Sequence, residues 1–178
     1  MFFPAGTYVV AGGGINVLPG VWLVGTGENS SAIVMLTNAS TMTFSASGGI
    51  CPQGNHNGGM EKMAVYGYGS TTATTANVIV GANCNVTIKD SRILYGAYGL
   101  WNDGVHTSVS DSFIWGYDSA LISHGANWYH RVKFDQPASS GATYAYVQGT
   151  NVAGLTTAEN HFIQCDFSII RRECPFRR

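Results

Sequence analysis

A chain of 178 residues is long enough for one domain with a real core. Only 11% of residues are charged and 23 are glycine, a balance that suits strands and turns. The formal net charge is −1, but Arg171, Arg172, Arg177 and Arg178 crowd the end; without residues 171–178 the count is 5 basic against 9 acidic, or −4, so the body lacks the basic face of a nucleic-acid binder.

In chain order, Met-Phe-Phe-Pro-Ala-Gly has neither a basic n-region nor an apolar h-region, so no signal peptide is expected. No apolar run reaches membrane-spanning length, and no membrane partner is expected. Pro4 and Gly6 set a turn, and Thr7–Val10 reads as a strand. Gly12–Gly14 breaks it, and Ile15, Val17 and Leu18 lead to the turn at Pro19 and Gly20. Val21–Val24 and Ile33–Leu36 are the next short strands. Residues 37–59, 66–77 and 135–143 read as loops, and Tyr144–Val147 returns to strand. Residues 1–170 form one expected domain, and 171–178 a basic tail expected to be disordered. Cys51, Cys84, Cys165 and Cys174 show no C-x-x-C spacing, so no zinc site is expected.

The centre of the chain repeats itself. A shift of 21 residues superposes Ile88 on Val109, Asp90 on Asp111, Ser91 on Ser112, Ile93 on Ile114, Leu100 on Leu121 and Gly104 on Gly125. The template is apolar, two residues, small or apolar, one residue, apolar. It recurs at Met60/Met63/Val65, Ile88/Ser91/Ile93, Val109/Ser112/Ile114, Tyr129/Val132/Phe134 and Phe162/Cys165/Phe167. The five copies start 28, 21, 20 and 33 residues apart, as loops of unequal length would space them. Each copy is short and rich in β-branched or aromatic residues, and no window shows a helical stripe. Such a period without helix predicts an all-β solenoid, the parallel β-helix, with at least five coils stacked about 4.8 Å apart.

Charge supports the register. The position before the small residue, read as outward-facing, holds Lys62, Asp90, Asp111, Arg131 and Gln164. Lys62 can then face Asp90, and Arg131 can face Asp111; Glu61 meets Lys89, and Lys133 meets Asp166. Asp90 beside Asp111 is the unfavourable contact.

The opening Phe3-Pro4-Ala5-Gly6-Thr7-Tyr8, followed by Leu18-Pro19-Gly20-Val21, Leu23-Val24 and Gly25-Thr26-Gly27, resembles that of the pectin-lyase-like superfamily. This group includes pectate-lyase-type enzymes and bacteriophage tailspike depolymerases. The resemblance implies a right-handed, single-stranded parallel β-helix. Its members carry residues before this motif, often a capping helix, and run over more coils. The chain thus reads as a fragment of a longer helix, or as one capped by oligomerisation. The resemblance further implies a polysaccharide partner, a homotrimer as in tailspikes, and an extracellular or virion-associated location.

In that superfamily the sugar groove follows the strand after the small-residue bend, here Gly99–Asn102, Ala120–Ser123 and Tyr144–Val147. Alternation from Leu100 and Leu121 turns Trp101 and Ile122 outward, and likewise Asp103 and His124, which then stack on adjacent coils. Asp103, His124 and Asp118 are the candidate catalytic residues, and Trp101, Tyr98 and Tyr117 the candidate sugar-stacking rings. The competing reading makes Asp103 a turn former within Asn102-Asp103-Gly104. A glycosidase needs two carboxylates about 5–9.5 Å apart, and Asp118 lies earlier in its coil than Asp103 does. A pectate-lyase-type elimination needs a carboxylate cluster for calcium, which the sequence does not display; otherwise no cofactor or metal is expected. The functions expected are polysaccharide binding, or polysaccharide degradation by a lyase or glycoside hydrolase. The alternative is a non-catalytic adhesin, a structural shaft or an inactive fragment.

Overall fold

The computed structural model describes residues 1–46, 51, 58–70, 72–135, 146–148 and 160–168. It is all-β, and the described residues include no helix. The chain makes successive laps of three strands. The first lap holds β1 (Gly6–Val10), β2 (Ile15–Val17) and β3 (Trp22–Val24). The second holds β4 (Ser31–Met35), β5 (Met42–Phe44) and β6 (Gly58–Glu61). The third holds β7 (Ala64–Tyr66), β8 (Ala76–Val80) and β9 (Val86–Lys89). The fourth holds β10 (Arg92–Leu94), β11 (Tyr98–Asn102) and β12 (Ser108–Ser110). The fifth holds β13 (Phe113–Trp115), β14 (Ser119–Ser123) and β15 (Trp128–His130). The sixth holds β16 (Lys133–Asp135), β17 (Tyr146–Gln148) and β18 (His161–Ile163), and β19 (Asp166–Ser168) begins a seventh.

Each strand pairs in parallel with the strands three before and three after it, the end strands of each sheet on one side only, giving three sheets that run the length of the structure. The first sheet stacks β1-β4-β7-β10-β13-β16-β19, the second β2-β5-β8-β11-β14-β17 and the third β3-β6-β9-β12-β15-β18. This connectivity is compatible with a parallel β-helix.

Inward positions form continuous columns. Leu23, Met60, Ile88, Val109 and Tyr129 stack down the third sheet, each at most 2% exposed. Ile33, Val65, Ile93, Ile114 and Phe134 do the same down the first sheet at 0%. Each such side chain removed from water contributes about 1.5–3 kcal/mol. The repeat template thus marks real columns, and a lap it did not catch precedes them: Leu23 and Ile33 occupy the same register, with the turn 25–30 between them. Met42–Phe44, within a stretch read as loop, is also a strand, and it buries Met42 and Phe44.

The charged position before the small residue is not a strand position. Lys62, Asp90, Asp111, Arg131 and Gln164 have φ of 55°, 47°, 50°, 52° and 53°: each is the left-handed corner joining a third-sheet strand to the next first-sheet strand. Glu61 and Lys89 are register partners as read, and so are Lys133 and Asp166. Arg131 grips Asp111 with two bonds, Nε to Oδ1 at 2.5 Å and Nη2 to Oδ2 at 2.8 Å. Asp90 lies 3.9 Å from the Lys89 ammonium.

Cys51 and Cys84, both buried, form a disulfide across 33 residues of chain. Cys165 is free and half-buried, its thiol 3.2 Å from the Tyr129 carbonyl oxygen. Residues 171–178, with Cys174, and residues 136–145, with Tyr144, lie outside the described residues.

Candidate functional site

The second sheet positions the candidate residues. Its inward column is apolar through Val17, Phe44 and Val80, then becomes polar at Asn102 and Ser123. These two are fully buried and meet at the Tyr129 hydroxyl, 2.9 Å from Asn102 Nδ2 and 2.8 Å from Ser123 Oγ. Asn127, also fully buried, donates from Nδ2 to the His124 carbonyl at 2.6 Å. Buried polar groups that satisfy one another in this way fix the backbone that carries them.

The next residue along each strand points outward. Asp103 follows β11, His124 follows β14, and the His124 amide donates to the Asn102 carbonyl at 2.8 Å. His124 Nδ1 is 2.5 Å from Asp103 Oδ1. Trp101 Nε1 donates to the same oxygen at 2.8 Å. The turn-former role belongs to Asn102: its Oδ1 accepts the Gly104 amide at 3.0 Å, closing the turn with its own side chain. Asp103 is thereby left to bind Trp101 and His124. With Nδ1–H donating to the carboxylate, Nε2 is the ring nitrogen that can take up or hand over a proton.

A cleft of about 300 Å³ opens beside this pair. Tyr98, Trp101 and Ile79 line it, together with Ser40, Thr74, Thr75 and Ala76, and Asp103 is the charged residue at its wall. The Tyr98 and Trp101 rings meet edge to face at 5.4 Å, and the Trp101 centroid is 6.0 Å from the imidazole. Trp101 is half-buried rather than exposed, and the His124 side chain is only 8% exposed. Outward alternation gives direction, and neighbouring side chains then cover what points that way.

The other two candidates lie elsewhere. Asp118 is exposed and precedes β14, in register with Ala97, whereas Asp103 follows β11. Six residues of strand separate those registers, about 20 Å along the sheet, so Asp118 and Asp103 cannot act on one glycosidic bond. Tyr117 sits with Tyr95 at 6.3 Å and Trp115 at 4.8 Å, at the corner between the first and second sheets. Burial, and then Tyr95, pushes its phenol above the ordinary range. Among the described residues, no group of three or more His, Cys, Asp or Glu side chains could hold a metal ion.

Sequence reasoning missed the Cys51–Cys84 disulfide and the aromatic corner of Tyr66, Tyr95 and Trp115. The aromatics carried a signal: Tyr66 and Trp115 stand one residue past the template's last apolar position, in the outward register. Compared with known proteins, the chain matches no family model, no curated protein and no solved structure.

Proposed function

We propose that this chain is a right-handed parallel β-helix of the pectin-lyase-like kind that binds polysaccharide in the Tyr98–Trp101 cleft. The observation that carries this reading is the cleft itself: two aromatic residues in edge-to-face contact line a single, mainly apolar depression together with Ser40, Thr74, Thr75 and Asp103. Aromatic faces suit the C–H faces of a sugar ring, and hydroxyls and carboxylate suit its hydroxyl groups. Right-handedness is supported by the strong rule for crossovers between parallel strands of one sheet. The disulfide supports an extracellular or virion-surface location, because such bonds persist in oxidising compartments.

The site favours binding over two-carboxylate hydrolysis, because Asp103 has no second carboxylate among the described residues lining the cleft. A second reading rests on the Asp103–His124 contact: an imidazole oriented by a carboxylate at a sugar cleft can serve as a proton acceptor in an elimination.

One experiment tests both readings. The protein is incubated with capsular and pectic polysaccharides, and binding is followed by affinity electrophoresis. Reducing ends and the absorbance of unsaturated sugars are read in parallel. Binding that Trp101→Ala weakens about tenfold, the loss of one stacked ring, supports the glycan reading. Unsaturated product that vanishes in His124→Ala supports elimination. Absence of both binding and product across the panel overturns the proposal in favour of a structural shaft.

A further inference from the structure

We infer that the Tyr98–Trp101 cleft selects ligands that carry a free amino group, with Asp103 Oδ2 as the acceptor that reads the amine. The inference rests on the glycan reading of the cleft and adds the charge of the sugar it takes: an amino sugar, not a uronate. The two oxygens of Asp103 have different roles. Oδ1 accepts Trp101 Nε1 at 2.8 Å and His124 Nδ1 at 2.5 Å. Oδ2 has no hydrogen-bond partner among the described residues and is not buried; the Asp103 side chain is 22% exposed. The bonds to Oδ1 hold the carboxylate in place, so Oδ2 is oriented before any ligand arrives. A carboxylate oxygen is an acceptor only, and its strongest partner is a charged N–H donor. His124 is the other titratable group here; its Nδ1 is engaged with Oδ1 and its side chain is 8% exposed.

The placement of the cations makes this charge decisive. Residues 1–170 contain five Lys or Arg: Lys62, Lys89, Arg92, Arg131 and Lys133. Lys89 lies on the third sheet, Arg92 and Lys133 on the first, and Lys62 and Arg131 at the corners joining those two. The strands of the second sheet, which carry the cleft, hold none. Apart from Asp103, the residues lining the cleft are uncharged. In mainly apolar surroundings a single charge acts more strongly than it does in water. An amine entering the cleft meets a free acceptor of opposite sign. A uronate would set its carboxylate against Asp103 with no basic side chain in the lining to offset the repulsion, and like charges so placed cost affinity. β-Elimination requires a sugar carboxylate to acidify the departing proton, so the selectivity agrees with the binding reading rather than with elimination.

The test compares three hexasaccharides by calorimetry on the full chain at neutral pH: β-1,4-glucosamine, its N-acetylated counterpart, and α-1,4-galacturonate. The first two share one backbone and differ in the amine alone. The wild type is expected to bind the glucosamine hexamer about tenfold more tightly than the N-acetyl hexamer, the difference one charged hydrogen bond makes, and to bind galacturonate most weakly. Asp103→Asn keeps an acceptor for Trp101 and His124 and puts an amide nitrogen in place of Oδ2, so the ratio of the first two affinities is expected to fall close to one. Trp101→Ala is expected to weaken the glucosamine hexamer about tenfold. Glu28→Gln, which removes a carboxylate from the turn 25–30, is expected to leave the ratio as it is. A wild type that binds the N-acetyl hexamer or galacturonate as tightly as the glucosamine hexamer overturns the inference and leaves the cleft a glycan site; this comparison needs no variant to fold. A preference that survives Asp103→Asn or Trp101→Ala, or that Glu28→Gln abolishes, places the amine outside the cleft and also overturns it. Binding of none of the three overturns the inference and the glycan reading together.

Discussion

Asp103 and His124, one lap apart, share a hydrogen bond of 2.5 Å between Oδ1 and Nδ1, and the same oxygen accepts Trp101 Nε1. Three side chains near the cleft are therefore held by one atom. Asp103→Ala leaves two part-buried donors without an acceptor and is expected to cost about 1–3 kcal/mol in urea unfolding. Asp103→Asn, which keeps an acceptor oxygen, is expected to cost less. Nitrogen NMR of the neutral imidazole is expected to show the Nδ1–H tautomer in the wild type; an Nε2–H tautomer would contradict the arrangement.

The Arg131–Asp111 pair sets a pH dependence. The bidentate bond to Arg131 holds the Asp111 carboxyl below its ordinary value of 3.8, partly offset by desolvation. A carboxyl depressed in the folded state contributes stability above its unfolded value of about 3.9, and that contribution is lost as pH falls through the lower folded value. The stability gap between wild type and Arg131→Gln is therefore expected to be constant from neutral pH down to about pH 5 and to close in more acidic solution. Urea midpoints across that range check it, and a gap that persists in strong acid would sink the assignment.

Asp90 is a site for a stabilising change. It adopts φ of 47° and stands in register beside Asp111. Asn is tolerated in the left-handed region and carries no charge, so Asp90→Asn is expected to raise stability by about 0.5–1 kcal/mol. Asp90→Val, β-branched at the same corner, is expected to lower it by about 1–2 kcal/mol. Thermal denaturation of the pair decides, since opposite signs are required.

Reduction of Cys51–Cys84 opens a closed loop of chain spanning 33 residues. Loop-closure entropy assigns such a link about 3–4 kcal/mol. Wild type in dithiothreitol and Cys51→Ala in buffer are expected to unfold at nearly the same, lower urea concentration. A midpoint that dithiothreitol does not move would show that the link is not formed in solution.

The columns were legible from the sequence because a lap that must stack on its neighbours repeats its apolar positions, as Ile88, Val109 and Tyr129 do. The adjacency of Asp103 and His124 followed from the same 21-residue shift. The left-handed corners were hidden because that conformation usually announces itself with Gly or Asn, and here it is taken by Lys62, Asp90, Asp111, Arg131 and Gln164. Tyr117 was placed by its distance from a bend, but the bend turns it toward Tyr95 rather than Trp101. The disulfide could not be read because four cysteines allow three pairings and spacing does not choose among them.

Each strand bonds only to its counterparts one lap to either side. A fault in backbone pairing is therefore passed first to the two adjoining laps, as a dropped stitch disturbs adjoining rows. Outward positions on any one lap are free to drift in sequence while the pitch underneath is conserved by its neighbours. Such a scaffold can exchange what it presents at Trp101 or Tyr95 without renegotiating how it folds.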